Sequence, residues 1–385
     1  MLRLRMHTLV TCAGLATHTA AASASTSSML QRPWFTHGSS LSRDRAQLLA
    51  EDQDAALVSG VFVPVTPAGE SFTLISGDDA HSLLELRHAD LPAAHLDVEE
   101  WAWIGCRPDG QHVFAVEMQE ETGRAAVKVA GIEVDVSPLR NVADGIACPD
   151  DAAVLSTARG ILHFHRTHQF CSSCGAATKA YKGGAARACT NRDSCGARVY
   201  PRVDPAAIML VTSPAEVDGR THALLGRKRA WPAGRFSTLS GFSECGESLE
   251  EAVIREVEEE SGVRVRKSSL RFVVTQPWLF PQSLMVGFTA EAEPGQPSGG
   301  LPEVRYDKDE LEDCRWFPRD YVRTRLVDHE GDGGISLVAD TSGTPAEEFH
   351  IPGKVSLANL LITQWAHEVG PWSPETGGSN FESPS

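Results

Sequence analysis

Three glutamates, Glu256, Glu259 and Glu260, stand at i, i+3 and i+4 in a stretch from Ser248 to Ser261 that holds no glycine or proline. At roughly 100° per residue they share one side of a helix, within about a 100° arc. Carboxylates gathered so closely repel one another unless a cation sits among them. Hard oxygen ligands favour Mg2+ or Mn2+, which also bind phosphates. The chemistry open to such a group is metal-assisted hydrolysis of a diphosphate.

Other residues must position these acids. The stretch is rich in Glu, Ala, Leu and Val and ends at Gly262, a natural C-cap. Leu249, Val253 and Val257, at i, i+4 and i+8, make a buried stripe whose arc overlaps that of the three glutamates at its edge. The three acids are therefore expected to face the body of the protein, with Glu251 and Glu258 outward. A solvated charge run would not set acids beside the core stripe. Arg255 can pair with Glu251 or Glu259 one turn away, or with Glu247, and so orient the ligands. Ahead of the helix, Gly241-Phe-Ser-Glu-Cys-Gly-Glu247 reads as a glycine loop.

A second constellation is made of sulfur. Cys171, Cys174, Cys189 and Cys195 follow C-x2-C-x14-C-x5-C, with glycine after each second cysteine. Two tight knuckles can present four thiolates tetrahedrally to Zn2+, and four protein ligands make such a site structural. The second knuckle is longer than usual; a redox dithiol is the alternative. The other cysteines, Cys12, Cys106, Cys148, Cys245 and Cys314, read as reduced thiols, and the odd total of nine does not fit a secreted disulfide framework. His163, His165 and His168 read as packing or surface histidines.

The 385 residues suffice for two or three domains. A hydrophobic content of 42% and a charged content of 22% are ordinary for a globular protein, and no apolar run reaches membrane-spanning length. The net charge of −16 argues against a general nucleic-acid binder. Residues 1–34 carry Arg3, Arg5 and Arg32, a Ser/Ala-rich run and no acid, the pattern of a mitochondrial or plastid transit peptide; the alternative is a disordered extension on a cytoplasmic protein. Residues 35–165 alternate apolar segments with turns, as in a mostly β domain, and close on a helix from Val154 to Arg166. A ribbon at 166–200 and a catalytic domain at 201–370 follow. The catalytic domain is expected as an α+β, α-β-α sandwich, a small mixed sheet between helices. The tail, 371–385, is expected to be disordered.

The glycine loop and acidic helix fit G-x5-E-x7-R-E-U-x-E-E-x-G-U, with U aliphatic, at every fixed position. That is the Nudix box, and the chain resembles a Nudix hydrolase. Thr275-Gln-Pro-Trp-Leu-Phe-Pro-Gln-Ser283 resembles the S-Q-P-W-P-F-P-x-S signature of the NADH pyrophosphatase subfamily, departing at Thr275 and at Leu279, where a proline's rigid bend is lost. The order of N-terminal domain, four-cysteine ribbon, Tyr200-Pro-Arg-Val-Asp-Pro205, box and signature strengthens the resemblance.

The resemblance implies metal ligands at Glu256, Glu259, Glu260 and Glu310, with Glu312 the competitor for the last, and a backbone carbonyl from Ser240. Arg255 and Glu247 complete the catalytic group. It implies substrate contacts at Gln276, Pro277, Trp278, Leu279, Phe280, Pro281, Gln282, Ser283 and Ala358. Phe242 and Tyr200 would sandwich a base, Tyr200 reaching in from a partner subunit of a homodimer. The implied reaction is hydrolysis of NADH or NAD+ to NMNH or NMN plus AMP, with Mg2+ or Mn2+ for catalysis and Zn2+ for structure. Two rivals are removal of NAD caps from RNA 5′ ends and a catalytically silent dinucleotide-binding module. A zinc-ribbon nucleic-acid adaptor is a weaker form of the second.

Overall fold

A computed structural model describes residues 39–44, 53–75, 80–91, 101–127, 133–146, 148–214, 217, 219–295, 300–327 and 349–367. The expected transit peptide and the expected disordered tail lie outside the described residues. Among the described residues, no helix is long and apolar enough to cross a membrane.

The amino-terminal part is a seven-stranded sheet. Its strands are β1 (Val61–Val65), β2 (Glu70–Ile75), β3 (His81–Leu83), β4 (Leu86–Arg87), β5 (Trp101–Cys106), β6 (His112–Glu117) and β7 (Glu133–Pro138). Helix α1 (Gln53–Ser59) precedes β1, while α2 (Glu120–Ala126) and α3 (Leu139–Val142) flank β7. The period-two alternation divides β1 between two cores: Val61, Val63 and Val65 face one, Phe62 the other. Helix α4 (Pro149–Thr167) covers the first of these faces with Ala152, Leu155, Ala158 and Leu162. It starts earlier than its apolar pattern indicates because Pro149 is accommodated in the first turn, where no N–H is needed.

The ribbon is a three-stranded sheet, ordered β10 (Arg198–Val199), β9 (Ala186–Cys189), β8 (Thr178–Tyr181). Its hairpin tip docks on the amino-terminal sheet. The Trp103 N–H donates to the Gly183 carbonyl at 2.9 Å, and a Cβ on Gly184 would stand 2.7 Å from Ala102 Cβ.

The carboxy-terminal part is a mixed sheet between helices, as expected. The strands are β11 (Asp204–Thr212), β12 (His222–Arg227), β13 (Leu239–Phe242), β14 (Arg271–Trp278), β15 (Ser283–Glu291) and β16 (Asp313–Pro318). The order is β14-β15-β11-β12-β16, with β13 also on β11, and β11 runs parallel to β15. Central strand β11 serves both faces. Ala207, Met209 and Val211 pack under helix α5 (Leu249–Ser261); Ile208 and Leu210 pack under α7 (Leu357–Ala366). Helix α6 (Arg319–Val327) joins the second layer through Val322.

Helix α5 forms where its apolar stripe lies, with Ala252, Val253 and Val257 buried. The Ser248 hydroxyl accepts from the Glu251 N–H at 3.2 Å, and the Glu251 carboxylate accepts from the Ser248 N–H at 2.9 Å, a reciprocal cap. Gly262 ends it with φ 70°, where a side chain would be strained. Replacing the cap, Ser248→Ala, should cost about 1 kcal/mol; a lowered urea midpoint with unchanged slope is the expected reading.

Candidate active site

Arg255 organises the acids. Its guanidinium makes two parallel hydrogen bonds to Glu247, at 2.7 and 2.8 Å, and also donates to Glu256 at 2.8 Å and Glu259 at 2.9 Å. A further bond, 2.9 Å to the Phe242 carbonyl, ties the glycine loop to the helix. Of the partners the sequence allowed, Glu251 is the one not used, because it caps the helix instead. Hydrogen bonds from Arg255, then from the Glu244 N–H, hold the Glu247 carboxyl down to about 2. The carboxylates around Arg255, Glu247 first, raise its own pKa.

The three helix glutamates are not equivalent. The Glu256 side chain is 13% exposed and that of Glu259 62%, whereas Glu260 as a residue is 3% exposed. Glu259 thus stands on the solvent rim rather than facing the body of the protein, because its position lies furthest round from the Val253–Val257 stripe. Glu256 lies flat over Gly241: a Cβ there would stand 1.9 Å from its carboxyl carbon. A methyl at 241 would displace this carboxylate.

Glu260 is the buried member. Its Oε2 has no hydrogen-bond partner. Burial pushes its pKa up to about 7; Lys228 opposes the rise, Glu256 and Glu310 add to it, and a hydrogen bond from the Ser240 backbone opposes it again. The Ser240 N–H thus ties β13 to Glu260, beside the carbonyl expected as a metal ligand. Glu310 sits in the exposed turn before β16, near enough for its charge to act on Glu260. Its competitor Glu312 is engaged elsewhere, accepting from Arg227 Nε at 2.7 Å.

The site fits a hard divalent cation. The buried Glu260 oxygen lacks a hydrogen-bond partner, and the charges of Glu256 and Glu310 add to burial in disfavouring its ionisation, a cost that a cation beside it would relieve. The four cysteines fit zinc. Their ligand atoms all lie within 4.8 Å of one another, with Sγ separations of 3.7 Å for Cys171–Cys195 and 3.5 Å for Cys174–Cys189. A disulfide needs about 2.05 Å. A tetrahedron with Zn–S of about 2.3 Å sets its sulfurs about 3.8 Å apart. The longer second knuckle folds in by turning on Asn191, whose carbonyl accepts from the Cys195 and Gly196 N–H groups at 3.1 and 2.9 Å.

The signature stretch continues β14 to Trp278 and turns back into β15, and much of it faces inward. Gln276 is 1% exposed and spends both ends of its amide on the start of α7, donating to the Val355 carbonyl at 2.7 Å and accepting from the Leu357 N–H at 3.0 Å. Ser283 and Ala358 are buried, and Gln282 donates to Asp204 at 3.1 Å. In this ligand-free arrangement the polar groups of Gln276 and Gln282 are engaged within the fold, and these residues shape the wall of the site. Leu279 and Phe280 turn to the amino-terminal domain. A Cβ on Gly160 of α4 would stand 2.7 Å from Leu279 Cδ1; Arg159 donates to the Leu279 carbonyl and lies 4.8 Å from the Phe280 ring centre. Leu279 thus seats against α4, a contact that local sequence could not reveal. Pro277, Trp278 and Pro281 keep exposed surface, and Tyr200 and Phe242 are exposed rings.

The comparisons agree with this architecture. Residues 204–335 match the NUDIX domain and residues 166–200 the NADH pyrophosphatase zinc ribbon domain. The chain is 34% identical over 273 residues to "NAD-capped RNA hydrolase NudC" of Mycobacterium bovis, covering 69% of this chain and 75% of that protein. It is 40% identical over 220 residues to "NAD-capped RNA hydrolase NUDT12" of Homo sapiens, covering 56% of this chain but only 42% of that one. The chain thus spans less than half the length of the human relative.

Two outcomes follow from the geometry. Gly241→Ala should abolish catalysis while the protein stays folded, since its methyl displaces the Glu256 carboxylate; retained turnover with an unchanged circular dichroism spectrum would contradict the packing. Glu260 has a folded pKa of about 7 against an ordinary 4.5, so its contribution to stability is full below about 4.5 and is lost as pH rises through 7. In chelator at pH 8, Glu260→Gln should be the more stable protein, by up to about 3 kcal/mol, and should lose the rise in Tm that Mg2+ or Mn2+ gives the parent.

Proposed function

This chain belongs to the Nudix hydrolases that carry an NADH pyrophosphatase zinc ribbon, and from that premise we propose that it hydrolyses the pyrophosphate bond of an NAD moiety. Free NADH or NAD+ gives NMNH or NMN plus AMP. The observation that carries the reading is the convergence of Glu256 and the buried Glu260, with the charge of Glu310 felt at Glu260, over a glycine that leaves them room.

Glu256, Glu259, Glu260 and Glu310 would hold Mg2+ or Mn2+, which when bound neutralises the diphosphate and acidifies a water. Arg255 keeps Glu256 and Glu259 in place and secures the loop carbonyl of Phe242. A rim carboxylate, Glu259 or Glu310, takes the proton of the attacking water. Phe242 and Trp278 offer ring faces to the bases, which need no edge hydrogen bonds to stack. Tyr200 would complete the sandwich from a second copy in a homodimer, a role supported by its exposed ring beside exposed Val203. The four-cysteine centre would hold Zn2+ and fix the ribbon.

A second form of the substrate, NAD as the 5′ cap of an RNA, is favoured by the names of both relatives. The bond broken is the same. Product analysis of the purified chain with NADH, NAD+, NADPH and NAD-capped RNA, in Mg2+ or Mn2+, decides the matter. NMN, or NMNH from the reduced dinucleotides, is expected from every substrate, with the adenosine 5′-phosphate half released free or left as the 5′ end of the RNA, and turnover should fall by orders of magnitude in Glu256→Gln. Release of free nicotinamide, or full activity in that variant, would sink the reading.

A further inference from the structure

The chain is acidic overall at −16, but its charges are segregated. Between 166 and 200 the basic residues are Arg166, Lys179, Lys182, Arg187, Arg192 and Arg198, and Asp193 is the single acid. That excess outweighs even the formal double negative charge of Zn2+ held by four thiolates. Arg187 is used internally, bonding Thr178 and His165, and Arg166 pairs with Glu117. Lys179, Lys182, Arg192 and Arg198 are exposed.

The register sorts these residues by face. Lys179, Ala188 and Arg198 form one row across β8, β9 and β10, and Tyr181 pairs with Ala186 on the same side two residues along. The opposite side carries Thr178 and Arg187, turned to His165 of α4. Alanines in the central strand leave the Arg198 side chain room to lie across the sheet. Its guanidinium carbon stands 4.8 Å from the Tyr181 ring centre, and the Lys182 ammonium 5.8 Å from it. The outer face is thus a ring between two cations, with no carboxylate in either row. From Arg198 the chain runs directly into Tyr200 and then to Asp204, which is in register with Ser283 at the end of the signature stretch.

We propose that the ribbon face formed by Lys179, Tyr181, Lys182 and Arg198 docks the RNA chain that follows an NAD cap. The inference rests on the pyrophosphatase reading above and adds a surface to it. Cations beside a planar aromatic are what single-stranded RNA needs, charge for its phosphates and a flat group for an unstacked base. The remainder of the chain carries a net negative charge, which makes the basic balance of the ribbon stand out.

The test is the double reversal Lys182→Glu/Arg198→Glu in the zinc-loaded full chain. NADH hydrolysis should be unchanged, while kcat/KM on NAD-capped RNA falls about tenfold or more. The slope of log rate against log salt on RNA should flatten by about 0.7 for each phosphate that the variant no longer neutralises. Fluorescence anisotropy with a 5′-monophosphate RNA should show the same weakening of binding without any turnover. Unchanged RNA binding and hydrolysis in the variant would overturn the proposal. So would an equal loss on NADH and RNA in both this variant and the milder Lys182→Gln/Arg198→Gln, which would mark a defect of fold. A changed oligomeric state would assign the face to a second copy instead. If the parent cleaves neither substrate, the pyrophosphatase reading fails on its own, and the anisotropy still decides the docking.

Discussion

Mutual repulsion of carboxylates is the constraint around which the carboxy-terminal domain is arranged. Glu247, Glu256, Glu259, Glu260 and Glu310 are brought to one region, with the Arg255 guanidinium among the outer acids and only the charge of Lys228 opposing the strain at Glu260. Arg255 satisfies the outer part of the group and leaves the inner part short of positive charge. The buried oxygen of Glu260 is where that shortage is concentrated. Reciprocal capping at Ser248, the left-handed turn at Gly262 and the Val253–Val257 stripe fix the helix so that the acids cannot rotate away from one another. A protein selected for stability alone would not retain this arrangement, since an amide or an apolar group at 260 would be the less costly tenant.

Much of this is legible in the sequence because the signals are local. The box defines a helix, its cap residues and its buried stripe through i, i+3 and i+4 relations that tertiary context does not override. The alternation of apolar segments and turns in residues 35–165 appears as strands β1 to β7. The cysteine spacing points to the ribbon, and the turn on Asn191 brings Cys195 of the longer knuckle into the cluster. Short β13 escapes such a reading: Leu239–Phe242 contains a serine and a glycine and carries no alternation, and its partner β11 imposes its conformation. Helix α6 escapes it too, since Arg319–Val327 is mostly polar and held largely by Val322.

The differences between expectation and structure concern orientation across long sequence separations. A motif match says which positions line a substrate in relatives, but not where each side chain points. Gln276 spends its amide on a helix about eighty residues further on, and Leu279 seats on a glycine from another domain. Neither partner is visible from the local pattern. Glu259 illustrates the same limit on a smaller scale. A wide arc on a helical wheel contains both a floor and a rim, and only the neighbouring strands decide where one ends.

Val355 is a member of the hydrophobic cluster of the amino-terminal sheet, although it lies two residues ahead of the helix that closes the carboxy-terminal one. Its N–H donates to Asp144 at 3.0 Å while its carbonyl serves Gln276. Evolutionary shuffling by cutting near residue 201 would therefore strip one module of a plug and the other of its anchorage. The two halves are separable on paper, yet inheritance would have to transmit them together.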